Sequence, residues 1–177
     1  MRALIVFVCA VASAAIFLGF AGAATSETGV LSVEGGRGTV LIEIQGSVLG
    51  RLTTGTLRVT DVTPRDRFFP AVVGRKLTWT RLGPRTILYR GQGLRFRTLG
   101  GRYRIVIRGS GISVSAVGRG AVVLDGEPRT PFEDVGVYSF EEGADCELAP
   151  ELCLPLPSEP ERFPIGEEEA GARKGSS

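Results

Sequence analysis

The residues able to do chemistry are few, and what is missing decides as much as what is present. The 177-residue chain has no histidine, which removes Ser-His-Asp and Cys-His nucleophilic sites, His-ligated zinc and imidazole acid–base catalysis. Carboxylates remain: Asp61 and Asp66 flank the turn Thr63-Pro64-Arg65-Asp66, and Glu43 lies on a predicted strand. A glycosidase-like pair would have to come from these three, but an aspartate beside a Thr-Pro turn is ordinary turn chemistry. Ser110, Ser113 and Ser115 are close in sequence, yet Lys76 is the one lysine between residues 25 and 124 and nothing places it beside them. Gly91-Gln92-Gly93 and Gly109-Ser110-Gly111 open strands, whereas a phosphate-cradling loop opens a helix. Glu167-Glu168-Glu169 lacks the spaced oxygen ligands of a calcium loop. The expectation is a non-catalytic chain with no metal and no cofactor.

Arginine is the exception to this scarcity. Residues 25–124 carry 15 Arg and one Lys against five acids, a net +11, whereas residues 125–177 carry four bases against 14 acids, a net −10. The overall +2 conceals two opposed halves. The densest basic patch is Arg95, Arg97, Arg102, Arg104 and Arg108. If 94–108 is a hairpin with Leu94, Phe96, Tyr103, Ile105 and Ile107 facing the core, these five project together from the other face as an anion-binding stripe. Like charges on neighbouring strands repel, so the stripe needs water or an anion. Three accounts compete: an Arg-favouring composition alone, since the chain has 19 Arg to two Lys; neutralisation by the chain's own acidic tail; or an anionic envelope polymer or membrane surface as partner. The last two combine if the tail competes for the site. Nucleic acid is not expected, because Phe96 and Tyr103 have core-facing parity and the leader directs the chain outside the cytoplasm.

That leader is residues 1–23. Met1-Arg2 precedes an apolar run from Ala3 to Phe20, and Ala21-Gly22-Ala23 satisfies the small-residue cleavage rule. The run is also long enough to act as an uncleaved anchor; the small-residue exit favours cleavage and a secreted or envelope-associated protein. Cys9 lies within the run, far from where a lipid-bearing cysteine would sit. Cys146 and Cys153 remain, an even pair in an oxidising compartment, and are expected to form a disulfide. Closing so short a loop is worth about 2–3 kcal/mol.

The elements that must position the arginines are strands. Hydrophobic residues make up 43 % of the chain, enough for a core, and they alternate with polar ones from Val30 to Leu124. Val40, Ile42 and Ile44 share one face of a run, and Leu57/Val59, Leu77/Trp79 and Ile112/Val114/Ala116 repeat the pattern. Glycines at 38, 55, 74, 93 and 111 fall 17 to 19 residues apart, with a turn signal midway in each interval. A β-solenoid with one rung per period is an alternative, but inward residues lie at drifting offsets from the glycines. The pattern predicts an all-β domain over 24–126, an antiparallel meander of about ten short strands forming a compact sandwich or small barrel. A barrel with a hollow interior would carry a small apolar ligand, the alternative function. Phe68, Phe69 and Trp79 are core or rim aromatics, and the connection Thr63 to Gly74 is the expected binding loop. After Asp125 seven of the ten prolines appear, predicting a docking segment and disulfide-pinned loop over 127–157 and a disordered acidic tail over 158–177.

Overall fold

Alternation of apolar and polar side chains commits one face of a strand to the core, and here the alternating runs follow one another with little but glycine between them. In the computed structural model, which describes residues 28–63, 70–128, 130 and 134–166, the runs join into four long strands. These are β1 Gly29–Asp61, β2 Ala71–Gly83, β3 Thr86–Thr98 and β4 Arg102–Gly126. Three short strands follow: β5 Val137–Ser139, β6 Leu154–Pro155 and β7 Glu161–Ile165. The leader, Asp66, Phe68, Phe69 and the Glu167-Glu168-Glu169 run lie outside the described residues.

The seven strands form one antiparallel sheet, in the order β2-β3-β1-β4-β7, with β5 attached to β1 and β6 to β5. This corrects the expected meander of about ten short strands forming a sandwich or small barrel. β1 lies between β3 and β4, so the chain does not lay its strands down in sequence order. The path has two ends, β2 and β7, and does not close. The count is lower because several glycines that resemble strand breaks sit inside paired strands.

Those glycines are the main structural device. β4 meets β1 in two registers, so that Ile42 lies between Ile105 and Val122, 17 residues apart in the chain. Gly55 pairs with both Gly91 and Gly109, and Gly38 with both Gly109 and Gly126, a continuous glycine row across five strand passages. Gly55 and Gly109 have φ of 143° and 152°, conformations that a side chain would strain. A Cβ on Gly55 would overlap the Arg108 carbonyl oxygen, and one on Gly109 the Thr54 carbonyl oxygen. Only glycine lets the ladders approach this closely while the register changes.

The apolar face of the sheet is the core. Ile42, Leu57, Leu94, Ile105, Ile112 and Leu124 have no exposed surface, as the period of two requires. Thr98 is buried at the end of β3, where its Oγ1 accepts from the Val48 amide at 3.1 Å. Trp79 has core-facing parity opposite Tyr89, yet is 62 % exposed because β2 ends the sheet.

The proline-rich segment completes this core. Val135, Tyr138, Leu156 and Ile165 belong to the same buried cluster, and Phe140 packs edge-on and Phe163 tilted against Tyr138, with ring centroids 5.6 and 5.2 Å from it. Backbone bonds from Arg37 to Val135 (2.9 Å) and from Gly126 to Pro157 (2.7 Å) tie it down. The expected disulfide is present, Cys146–Cys153, with Cα atoms 5.8 Å apart. Within the tail expected to be disordered over 158–177, Glu161–Ile165 form β7, with Pro164 on a sheet end where no amide is needed on its outer side; residues 167–177 lie outside the described residues.

Two predictions follow from this packing. Gly109→Ala should cost about 2–3 kcal/mol in urea unfolding, from strain and carbonyl overlap, while Gly83→Ala, with nothing within 4 Å of its added methyl, should leave the midpoint within about 0.5 kcal/mol of wild type; equal effects would remove the glycine row's role. The second concerns alkaline pH. Burial raises the Tyr89 hydroxyl above its ordinary value of 10.0, and burial, then the Glu161 carboxylate, do the same for Tyr138. Below pH 10 both states are protonated and this contribution is complete. Above it the unfolded chain ionises first, so stability must fall as pH rises through the folded-state values. Unfolding midpoints between pH 9 and 11 should drop, and Tyr89→Phe should flatten the drop.

Candidate anion-binding face

The residues whose parity turns them away from the core form the solvent face of the sheet, and it is rich in arginine because those positions are arginine in β1, β3 and β4. The five predicted anion-binding residues fall into two groups, since β1 separates the arms of the expected 94–108 hairpin. Arg95 and Arg97 lie on β3, opposite Arg51 and Leu49 of β1. Arg102, Arg104 and Arg108 lie on β4, opposite Gln45, Glu43 and Thr39. The glycine row runs between the groups, and all five are exposed.

The β4 group is partly neutralised from within the sheet. Glu43 accepts from Arg104 Nε at 3.4 Å and from Arg162 Nη2 at 3.4 Å, so a single carboxylate serves a strand neighbour and an arginine of β7. All three side chains are well exposed, and pairs of this kind contribute about 0–1 kcal/mol each. Asp61, the other described carboxylate of the candidate catalytic pair, caps a turn: its Oδ1 accepts from the Thr63 amide at 3.1 Å. Ser110 exchanges a hydrogen bond with Thr54 at 2.9 Å. Among the described residues, no group of three or more Cys, Asp or Glu is placed to hold a metal ion.

Of the β3 group, Arg95 borders an open groove of about 1200 Å³ and Arg97 does not. Across its floor Ser113 faces Arg51, Arg51 faces Arg95, and Arg95 faces Val73, in register on β4, β1, β3 and β2. Arg75 adds a third guanidinium, Ser32 and Ser115 add hydroxyls, and Glu34 and Glu147 supply carboxylates. Glu147 comes from the loop pinned by Cys146–Cys153, which brings one tail acid to the edge of the basic surface. Among the described residues Arg51, Arg75 and Arg95 form no ion pair.

Arg51 and Arg75 carry no site signal in the sequence, and Ser113 and Ser115 enter there only as nucleophile candidates; the grouping of the four depends on which strands are neighbours. Part of the expected binding connection does reach the site, since Val73 and Gly74 line the groove. No helix among the described residues is long and apolar enough to cross a membrane. No family model, curated protein or solved structure matches the chain.

Proposed function

We propose that the chain is an exported, non-catalytic binding module of the cell envelope that holds an anionic partner on the arginine-bearing face of its sheet. The observation that carries this is the Arg51–Arg95 pair, two exposed arginines directly opposite each other on adjacent strands, with no carboxylate among the described residues bonded to either. Direct juxtaposition of like charges on adjacent strands is destabilising. An anion bridging the two relieves that repulsion and gains charge-assisted hydrogen bonds. Export is supported by the Ala21-Gly22-Ala23 exit of the apolar leader and by the Cys146–Cys153 disulfide, which an oxidising compartment preserves.

The reading of the chain as an apolar-ligand carrier does not survive, because it required a closed barrel and the sheet is open. Competition by the acidic tail is supported among the described residues by Glu147, which lines the groove, while β7 presents Arg162 to Glu43. A truncation at 126 is an unsuitable test of the tail, since it would remove Leu156 and Ile165 from the core.

Retention on a sulfonated or heparin-like anionic resin tests the proposal. Wild type should elute at a salt concentration that Arg51→Gln/Arg95→Gln lowers more than Arg104→Gln/Arg108→Gln does, because Glu43 already offsets the second group. Glu43→Gln should raise it, at a stability cost below about 1 kcal/mol. Retention indifferent to salt and to all these substitutions would reject an anion-binding face.

A further inference from the structure

We infer that the groove beside Arg51 and Arg95 is the binding site for a short acidic oligosaccharide lying across the strands, an assignment that rests on the anion-binding reading and names its ligand class. The groove crosses five strand passages: the first stretch of β1, β4, the middle of β1, β3 and β2. At about 4.8 Å per strand spacing its length is about 19 Å, which suits a short linear chain.

The lining selects the ligand. Its cations, Arg51, Arg75 and Arg95, sit on the β2 and β3 side, whereas Glu34 belongs to the opposite end and Glu147 to the tail loop. A chain carrying carboxylates alone would meet attraction at the arginines and repulsion at Glu34. A chain with carboxylates toward the arginines and hydroxyls toward the acids satisfies both, since carboxylates accept two hydrogen bonds each from sugar hydroxyls. Ser113 and Ser115 put hydroxyls on the floor between these ends.

Ladder pairing is interrupted along the floor at Thr53, Gly74, Gly93 and Gly111, and the side chains of Arg51, Arg75 and Arg95 supply its positive charge. Among the described residues no aromatic lines the groove, so they offer none of the stacking that single-stranded nucleic acid relies on. The recessed shape disfavours a flat lipid surface, which the exposed β4 arginines would meet first. Arginine rather than lysine fits the role, because its planar fork engages a sugar carboxylate through two parallel bonds.

The test is calorimetric titration of the purified protein with tetragalacturonate, its neutral analogue maltotetraose, and the peptide tetra-aspartate. Tetragalacturonate should bind at least tenfold more tightly than either of the others. Arg51→Gln/Arg95→Gln should weaken it at least tenfold, and Arg104→Gln/Arg108→Gln should leave it within twofold of wild type. All four side chains are exposed, and a thermal midpoint no lower than wild type would confirm intact folding in each variant. Equal binding of tetra-aspartate, no binding of the uronate, or insensitivity to Arg51→Gln/Arg95→Gln would each overturn the assignment. If resin retention still responds to Arg51→Gln/Arg95→Gln when the uronate does not bind, the anion-binding face stands and only the saccharide assignment falls. If both fail, the face itself is rejected.

Discussion

The close approach of backbones along the glycine row is the constraint on which the rest of the molecule depends. Where Gly91, Gly55, Gly109, Gly38 and Gly126 lie abreast, carbonyl oxygens occupy the space that side chains would need. The row lets β1 and β4 continue as paired strands of 33 and 25 residues while pairing with each other twice. Without it, each strand would have to end where the glycine stands, and the apolar residues on either side would belong to separate elements. The doubled register then places Ile42 between Ile105 and Val122, so that three fully buried side chains from distant parts of the sequence meet in one cross-strand row. Stability here rests on rows of this kind, and each row exists because the glycines set the offset.

The same geometry explains what could be read from the sequence and what could not. The alternation of Val40/Ile42/Ile44 and of Tyr103/Ile105/Ile107 is a local property, and burial follows it. The glycine interval was equally visible, and the first step, Gly38 to Gly55, equals the 17-residue offset between the two registers. Its meaning was not visible, because a glycine in a strand pattern signals a turn as readily as a close backbone approach. Reading each one as a turn shortens the strands, multiplies them and makes a meander. The arrangement of β1 between β3 and β4 is a long-range fact that no local signal encodes. It separates Arg97 from Arg102 despite the short turn that joins them, and it brings Arg51 to Arg95.

The proline-rich segment shows how composition misleads when a segment borrows structure from its neighbours. Prolines and acids argue against independent folding, and nothing in 134–166 forms a core alone. Laid along β1 and β4 it needs little: β5 and β7 use existing edges, the prolines occupy positions where a missing amide is harmless, and Tyr138, Phe140 and Phe163 gather into one aromatic cluster. The disulfide closes a separation of seven residues, so its entropic contribution is that of a small loop. It fixes where Glu147 sits more than it stabilises the sheet.

Charge is distributed over this scaffold unevenly, and the unevenness distinguishes composition from selection for a site. On the β4 half, arginines are interleaved with Glu43, and β7 brings Arg162 to the same carboxylate, an arrangement any Arg-rich surface can reach at little cost. On the β3 half, Arg51 and Arg95 face each other directly, the one placement that strand pairing penalises. Substituting either by threonine would remove the repulsion and suit a strand better. A surface shaped only by solubility would neutralise this pair as it neutralises Arg104. The repulsion is instead retained on the floor of the groove, with Glu34 and Glu147 as its carboxylates, and the proposed anion-binding role rests on that placement, since an anion held between the two arginines would offset the repulsion.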